Sequence, residues 1–170
     1  VKSTYDLDAV SAGFYAAFAL LAGGAGNVFS GWLVDRIYRR SNRTRSRRIP
    51  AITGFLLAAI GLIFSVGAES ATGAVAWLSV AIFGADMTLS PSWSTCIDIG
   101  GRSAGAVSGT MNMAGNLGSA VVGLAFPYLI AEFGPRGFFF VGAAFNVLAI
   151  ALWFTIRTDQ PLASRGHRPA

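Results

Sequence analysis

Three residues inside one apolar run have types and spacing suited to chemistry. Asp86, Ser90 and Trp93 follow each other at i, i+4 and i+7, which puts an acid, a hydroxyl and an amphipathic ring on one helical face. A second run carries Ser108, Asn112, Asn116 and Ser119 along one face in the same way. Asp86 is eleven residues past Val75. At about 1.5 Å per residue it lies about 16 Å along a helix starting there, near the middle of a hydrocarbon core about 30 Å thick. An acid at that depth costs about 2.5–3.5 kcal/mol on insertion scales, so it must face a partner or a wet cavity. Two readings of Asp86 stand: an acid that loads and releases a proton, or a structural acid hydrogen-bonded to a neighbouring helix or kept protonated by apolar surroundings. Asn112 and Asn116 likewise read either as ligand contacts or as glue between helices. Pro91 cannot donate to the Met87 carbonyl, so the helix is expected to kink or open there.

The composition excludes several classes. There is no Ser/His/Asp, Cys/His or paired-carboxylate set, so the chain reads as a non-enzyme. Cys96 is the single cysteine, and His167 the single histidine, so neither a redox pair nor a metal site is expected. Gly23-Gly24-Ala25-Gly26 is no nucleotide loop, because Phe29 stands where its third glycine would be and no strand precedes it. No cofactor is called for. Charged residues make up 12% of the chain, half the value usual for a soluble domain, and the mean hydropathy is +0.57. These values point to an integral membrane protein. The net charge of +5 does not point to nucleic acid, since most of it lies in one segment and the tail, where membrane topology explains it.

The elements that must position these residues are five predicted transmembrane helices, at about 9–34, 49–68, 74–97, 103–130 and 137–156. Ala9–Val34 and Ile49–Ala68 carry no charge, and the seven arginines at 36, 39, 40, 43, 45, 47 and 48 lie between them beside one acid, Asp35. Residues 35–48 are thus expected as a cytoplasmic Arg-rich loop, because basic residues in short loops stay on that side. Counting outward, Arg102, Arg157, Arg165 and Arg168 also fall inside, and only Lys2 and Arg136 outside. The piece then has its N-terminus outside and its C-terminus in the cytoplasm. Residues 1–8 are expected as an extracytoplasmic loop, with Asp8 or Ser11 capping the first helix, and 157–170 as a disordered cytoplasmic tail.

In the first span Gly23, Asn27, Ser30 and Gly31 share a face that should pack on protein. The second span, opening with Pro50 in its first turn, is expected to be peripheral and lipid-facing. Gly105 and Gly109 form a GxxxG in the fourth, and Pro127 should bend its outer end. Glu132–Arg136 should be a turn, and the fifth span has aromatics at both ends, as interfacial anchoring requires. Val1 is not a methionine, so an N-terminal part of a longer polypeptide is expected.

Gly31-x-x-x-Asp35-Arg36-x-x-Arg39-Arg40 resembles the loop motif of the major facilitator superfamily, with Tyr38 where glycine is common. That family places the motif after its second helix and, more weakly, after its eighth. Four further spans and a basic tail follow here, so the resemblance implies an all-α partial six-helix bundle made of helices eight to twelve, lacking the N-terminal half. Ser90-Pro91-Ser92-Trp93, with Ser108-Gly109-x-x-Asn112-x-x-x-Asn116, is similar to helices ten and eleven of the anion:cation symporter branch. That branch carries sugar acids, other carboxylates and phosphate, often with protons. The resemblance implies that Ser90, Ser92, Trp93 and Asn112 or Asn116 line a substrate site. It implies that Gly31, Asp35, Arg36, Arg39 and Arg40 form a cytoplasmic gate. It further implies a secondary transporter in the cytoplasmic membrane, with a small organic anion, protons and the lipid bilayer as partners. Two alternatives stay open: an exporter on the same fold, and a non-transporting truncated membrane protein.

Overall fold

The computed structural model describes residues 8–160, which form helices and short connections with no strand among them. Helix α1 covers Ala9–Arg40, α2 Arg43–Val66, α3 Ala71–Met87 and α4 Leu89–Gly100; a 3-10 turn, Gly101–Ser103, leads into α5, Ala104–Thr155. The side chains of Asp8, Asn42 and Ser70 cap α1, α2 and α3 by accepting the backbone N–H groups of Ser11, Arg45 and Gly73. These are the first-turn donors that have no partner within a helix.

Four stretches are long and apolar enough to cross a membrane: Ala9–Arg40, Arg43–Val66, Ala71–Gly134 and Arg136–Thr155. The third holds 64 residues, about 96 Å of helix if straight, far more than one crossing needs. It doubles back. Cys96 Sγ lies 3.3 Å from Met111 Sδ, although fifteen residues of continuous helix would separate them by about 22 Å. The reversal falls at Gly101, whose φ of 50° lies in the left-handed region open to glycine. A second reversal falls at Gly134, with φ 67° and ψ 177°. There the rings of Phe126 and Phe138 meet edge-on with centroids 4.9 Å apart, where a straight helix would hold them about 18 Å apart. The first limb of α5 leaves nearly all of its residues from 112 to 128 exposed, while the second limb returns to pack on α2, where Gly142 meets Leu62.

Helices α1 and α3 run parallel and in register. Tyr15 meets Thr72, Gly26 meets the Phe83 backbone, and Ser30 meets Met87, each pair 57 residues apart. Helix α2 packs against the other side of α3 through facing glycines. A Cβ on Gly54 would sit 2.6 Å from the Gly84 carbonyl oxygen, and one on Gly61 2.6 Å from that of Trp77. Ala51, Ala58 and Ala59 fill the remaining contacts and are at most 3% exposed. With no hydrophobic drive between helices in lipid, such close backbone approach is the main source of packing energy.

Four expectations need correction here. Helix α2 is not peripheral: Gly54, Ala58, Gly61 and Ser65 make its small-residue face the centre of the bundle. The Arg-rich segment is not a loop. Both helices run through it, and Ser41 and Asn42 alone connect them, because nothing from Gly31 to Arg40 or from Arg43 to Val66 breaks a helix except Pro50. Pro50 is therefore not in the first turn but in the interior and buried. The tail begins ordered, since Thr158 is 1% exposed and shares a 3.0 Å hydrogen bond with Thr44. Residues 1–7 and 161–170 lie outside the described residues, and with them the expected outer loop before Asp8 and the rest of the tail.

Candidate functional site

The site is built around the break between α3 and α4. Pro91 lacks an N–H, so the Met87 carbonyl loses its helical donor. The helix stops at Met87 and restarts at Leu89. At the break Thr88 N–H turns back to Ala85 O at 3.1 Å, tightening the last turn, and the Thr88 carbonyl accepts both the N–H and the hydroxyl of Ser92, the latter at 2.7 Å. The Met87 carbonyl is taken from outside the helix by the Ser30 hydroxyl of α1. Ser30 and Met87 are both fully buried. The expected opening is thus a plugged break, satisfied inside protein.

The predicted site residues distribute around this point. Asp86 faces α1 at Gly23, where a Cβ would collide with its carboxylate; the absence of a side chain makes the room. Ser90 lies against Gly31, with 3.6 Å between its hydroxyl and the Cβ position. Trp93, next on that face, is 43% exposed. Ser92 is occupied by its own helix. Asn112 and Asn116 lie on the exposed limb of α5, and among the described residues neither amide has a hydrogen-bond partner. The structure therefore aligns Asp86, Ser90 and Gly31 along the α1 seam but does not gather all five proposed ligand residues into one cavity. Asn27, expected on the packed face, is exposed; the buried positions of α1 are Gly23, Gly26, Ser30 and Val34.

At the basic end, Asp35, Arg36, Arg39 and Arg40 are all exposed. With Trp32 they outline a cavity of about 180 Å³. A larger groove of about 540 Å³, lined by Phe14, Tyr15, Phe18 and Thr72 among others, lies at the opposite end of the α1–α3 seam and is almost wholly apolar.

Two features went unseen in the sequence. Asp98 accepts Arg47 Nε at 2.9 Å and lies 3.7 Å from Arg43 Nε. A signal existed: Asp98 is the only acid between Asp86 and Glu132, placed at the basic end. Arg48 donates to the Phe154 and Ile156 carbonyls at 3.1 and 3.0 Å, where the C-terminus of α5 leaves unpaired acceptors. These contacts bring the start of α2, the end of α4 and the end of α5 to one end of the bundle.

Parallel, glycine-seamed apolar helices, a proline break buried at mid-length and arginines gathered at one end define a multi-pass helical membrane protein. Residues 1–123 match the sequence pattern of the Major Facilitator Superfamily, and the chain belongs to that family. It is also 31% identical over 176 aligned positions to a Cupriavidus necator protein named "Probable sulfoacetate transporter SauU", in an alignment covering 98% of this chain and 40% of that protein. The chain thus spans less than half the length of this relative.

Proposed function

We propose that this chain supplies helices eight to twelve of a secondary active transporter, crossing the cytoplasmic membrane five times with its arginine-rich end in the cytoplasm. The transporter moves a small organic anion, a sugar acid or related carboxylate, by alternating access with proton symport. Binding occurs near the midplane between two halves of one polypeptide, which rock about the site. Family membership supports transport, and the relative named for sulfoacetate, itself an organic anion, supports the charge of the substrate.

One observation carries the site. The amides of Asn112 and Asn116 and the carboxylate of Asp86 have no partner among the described residues, although all three belong to apolar helices. Facing lipid, each would cost several kcal/mol, so these faces meet protein or a wet cavity. Substrate hydroxyls and carboxylate oxygens supply the missing partners, and the Trp93 ring covers an apolar substrate face. The predicted spans hold no basic residue, so the cation that pairs with the anion comes from the rest of the polypeptide.

The test is uptake of sulfoacetate and of a sugar acid by the full-length parent. Trp93→Ala and Asn116→Ala each lower uptake about tenfold at matched expression, the loss expected for a ligand contact of one to two kcal/mol. Unchanged affinity and rate in both variants overturn the site. Efflux of apolar cations, indifferent to carboxylates, favours the exporter reading instead.

A further inference from the structure

We propose that the exposed face around Trp32, Arg36, Arg39 and Arg40 is a binding site for the headgroup of an anionic phospholipid. This inference does not depend on the substrate reading.

Three observations on different scales converge there. The first is charge left over. Among the described residues, the ion pairs at this end are those of Asp98 with Arg43 and Arg47. Arg36, Arg39 and Arg40 have none, so three guanidinium groups meet one carboxylate, Asp35, around a cavity of about 180 Å³. An anion restores the balance, and guanidinium forks suit phosphate oxygens. The second is a ring held in place. Arg36 Cζ lies 5.8 Å above the Trp32 ring, and Trp32 is 56% exposed. An exposed Trp one helical turn from the arginines is placed as interfacial aromatics are. The third is what lies beneath. Trp32 meets Phe29 with ring centroids 5.7 Å apart, and Val28, Leu21 and Leu20 continue an exposed apolar surface along α1. A polar cavity above an apolar strip matches the two parts of a phospholipid: phosphate among the arginines, acyl chain along α1.

Asp35 refines the choice of headgroup. It repels phosphate weakly at the edge of the site and can accept a hydroxyl, so a headgroup with free hydroxyls beside its phosphate, as in phosphatidylglycerol, fits better than a bare phosphomonoester. Each arginine near an anionic membrane surface is worth about fivefold in binding.

The experiment uses the purified full-length parent in neutral detergent, titrated with phosphatidylglycerol, phosphatidylcholine or inorganic phosphate and read by native mass spectrometry. Phosphatidylglycerol should bind at least five times more tightly than phosphatidylcholine. The triple variant Arg36→Gln, Arg39→Gln, Arg40→Gln should lose at least 20-fold. Removing the same charge from Arg45, Arg102 and Arg157 should cost no more than about fivefold. Trp32→Ala, which leaves every charge and hence the topology intact, should lose about threefold. Equal losses in the two triple variants, a lack of preference between the lipids, or an unaffected Trp32→Ala would each overturn the site. Displacement of the lipid by millimolar inorganic phosphate would show a soluble-anion site and overturn the lipid assignment.

Discussion

Ser30 of α1 donates its hydroxyl to the carbonyl of Met87, the acceptor that Pro91 strips of its partner in the neighbouring span. The bond joins two parallel helices where one of them is interrupted. It lies four residues beyond Gly26, whose lack of a side chain lets α1 touch the Phe83 backbone. Small residue and hydroxyl act together, the first permitting the approach and the second satisfying the broken ladder.

Ser30→Ala removes that donor and leaves a fully buried carbonyl unpaired. We expect a loss of about 1–2 kcal/mol in the stability of the parent, seen as a lower midpoint of thermal unfolding in detergent. An unchanged midpoint would mean that water or a neighbouring group replaces the hydroxyl.

Gly54→Val and Gly84→Val place a Cβ within 2.6 Å of backbone atoms across the α2–α3 seam. Both backbones must separate, and the folded yield should fall several-fold, with a cost of about 3 kcal/mol or more. Gly13→Ala and Gly105→Ala meet open space in this chain and should leave the yield unchanged. The predicted GxxxG of Gly105 and Gly109 therefore finds no partner among the described residues.

Asp98 and Arg47 are 11% and 13% exposed at their side chains. Asp98→Asn leaves Arg47 with a neutral acceptor in a largely dry position, and about 1–3 kcal/mol of stability should go with it. A double-mutant cycle with Arg47→Gln should return a coupling of about 1 kcal/mol. Additive effects would show that the two charges act separately.

Arg48→Ala takes away both bonds to the Phe154 and Ile156 carbonyls and the cation held 5.7 Å from the Phe154 ring. The end of α5 should fray. Amide exchange over residues 150–156 should rise about tenfold while that of α3 stays constant.

This chain by itself should not transport. The proposed substrate site is completed by groups outside it, so liposomes holding the 170-residue chain alone should take up sulfoacetate no faster than empty ones. Uptake above that level would refute the placement of the site between two halves.

Much was legible in the sequence because the signals are one-dimensional. Apolar runs bounded by charge mark helices that can enter a bilayer, since no water is present there to bind an open backbone. The arginine spacing from Gly31 to Arg40 pointed to the superfamily, and Pro91 marked the interruption of the third run. Which helix lies innermost was not legible. Helix α2 reads as greasy all round and was expected at the periphery. Its position depends on Gly54 and Gly61 meeting Gly84 and Ala81 across space, a match that neither strand of sequence displays alone. The same holds for Asp98 with Arg47, and for Ser30 with Met87. Residue type and period decide which segments become helices and where they break. The pairing of faces depends on distances of a few tenths of an ångström between backbones, and only the folded chain contains those.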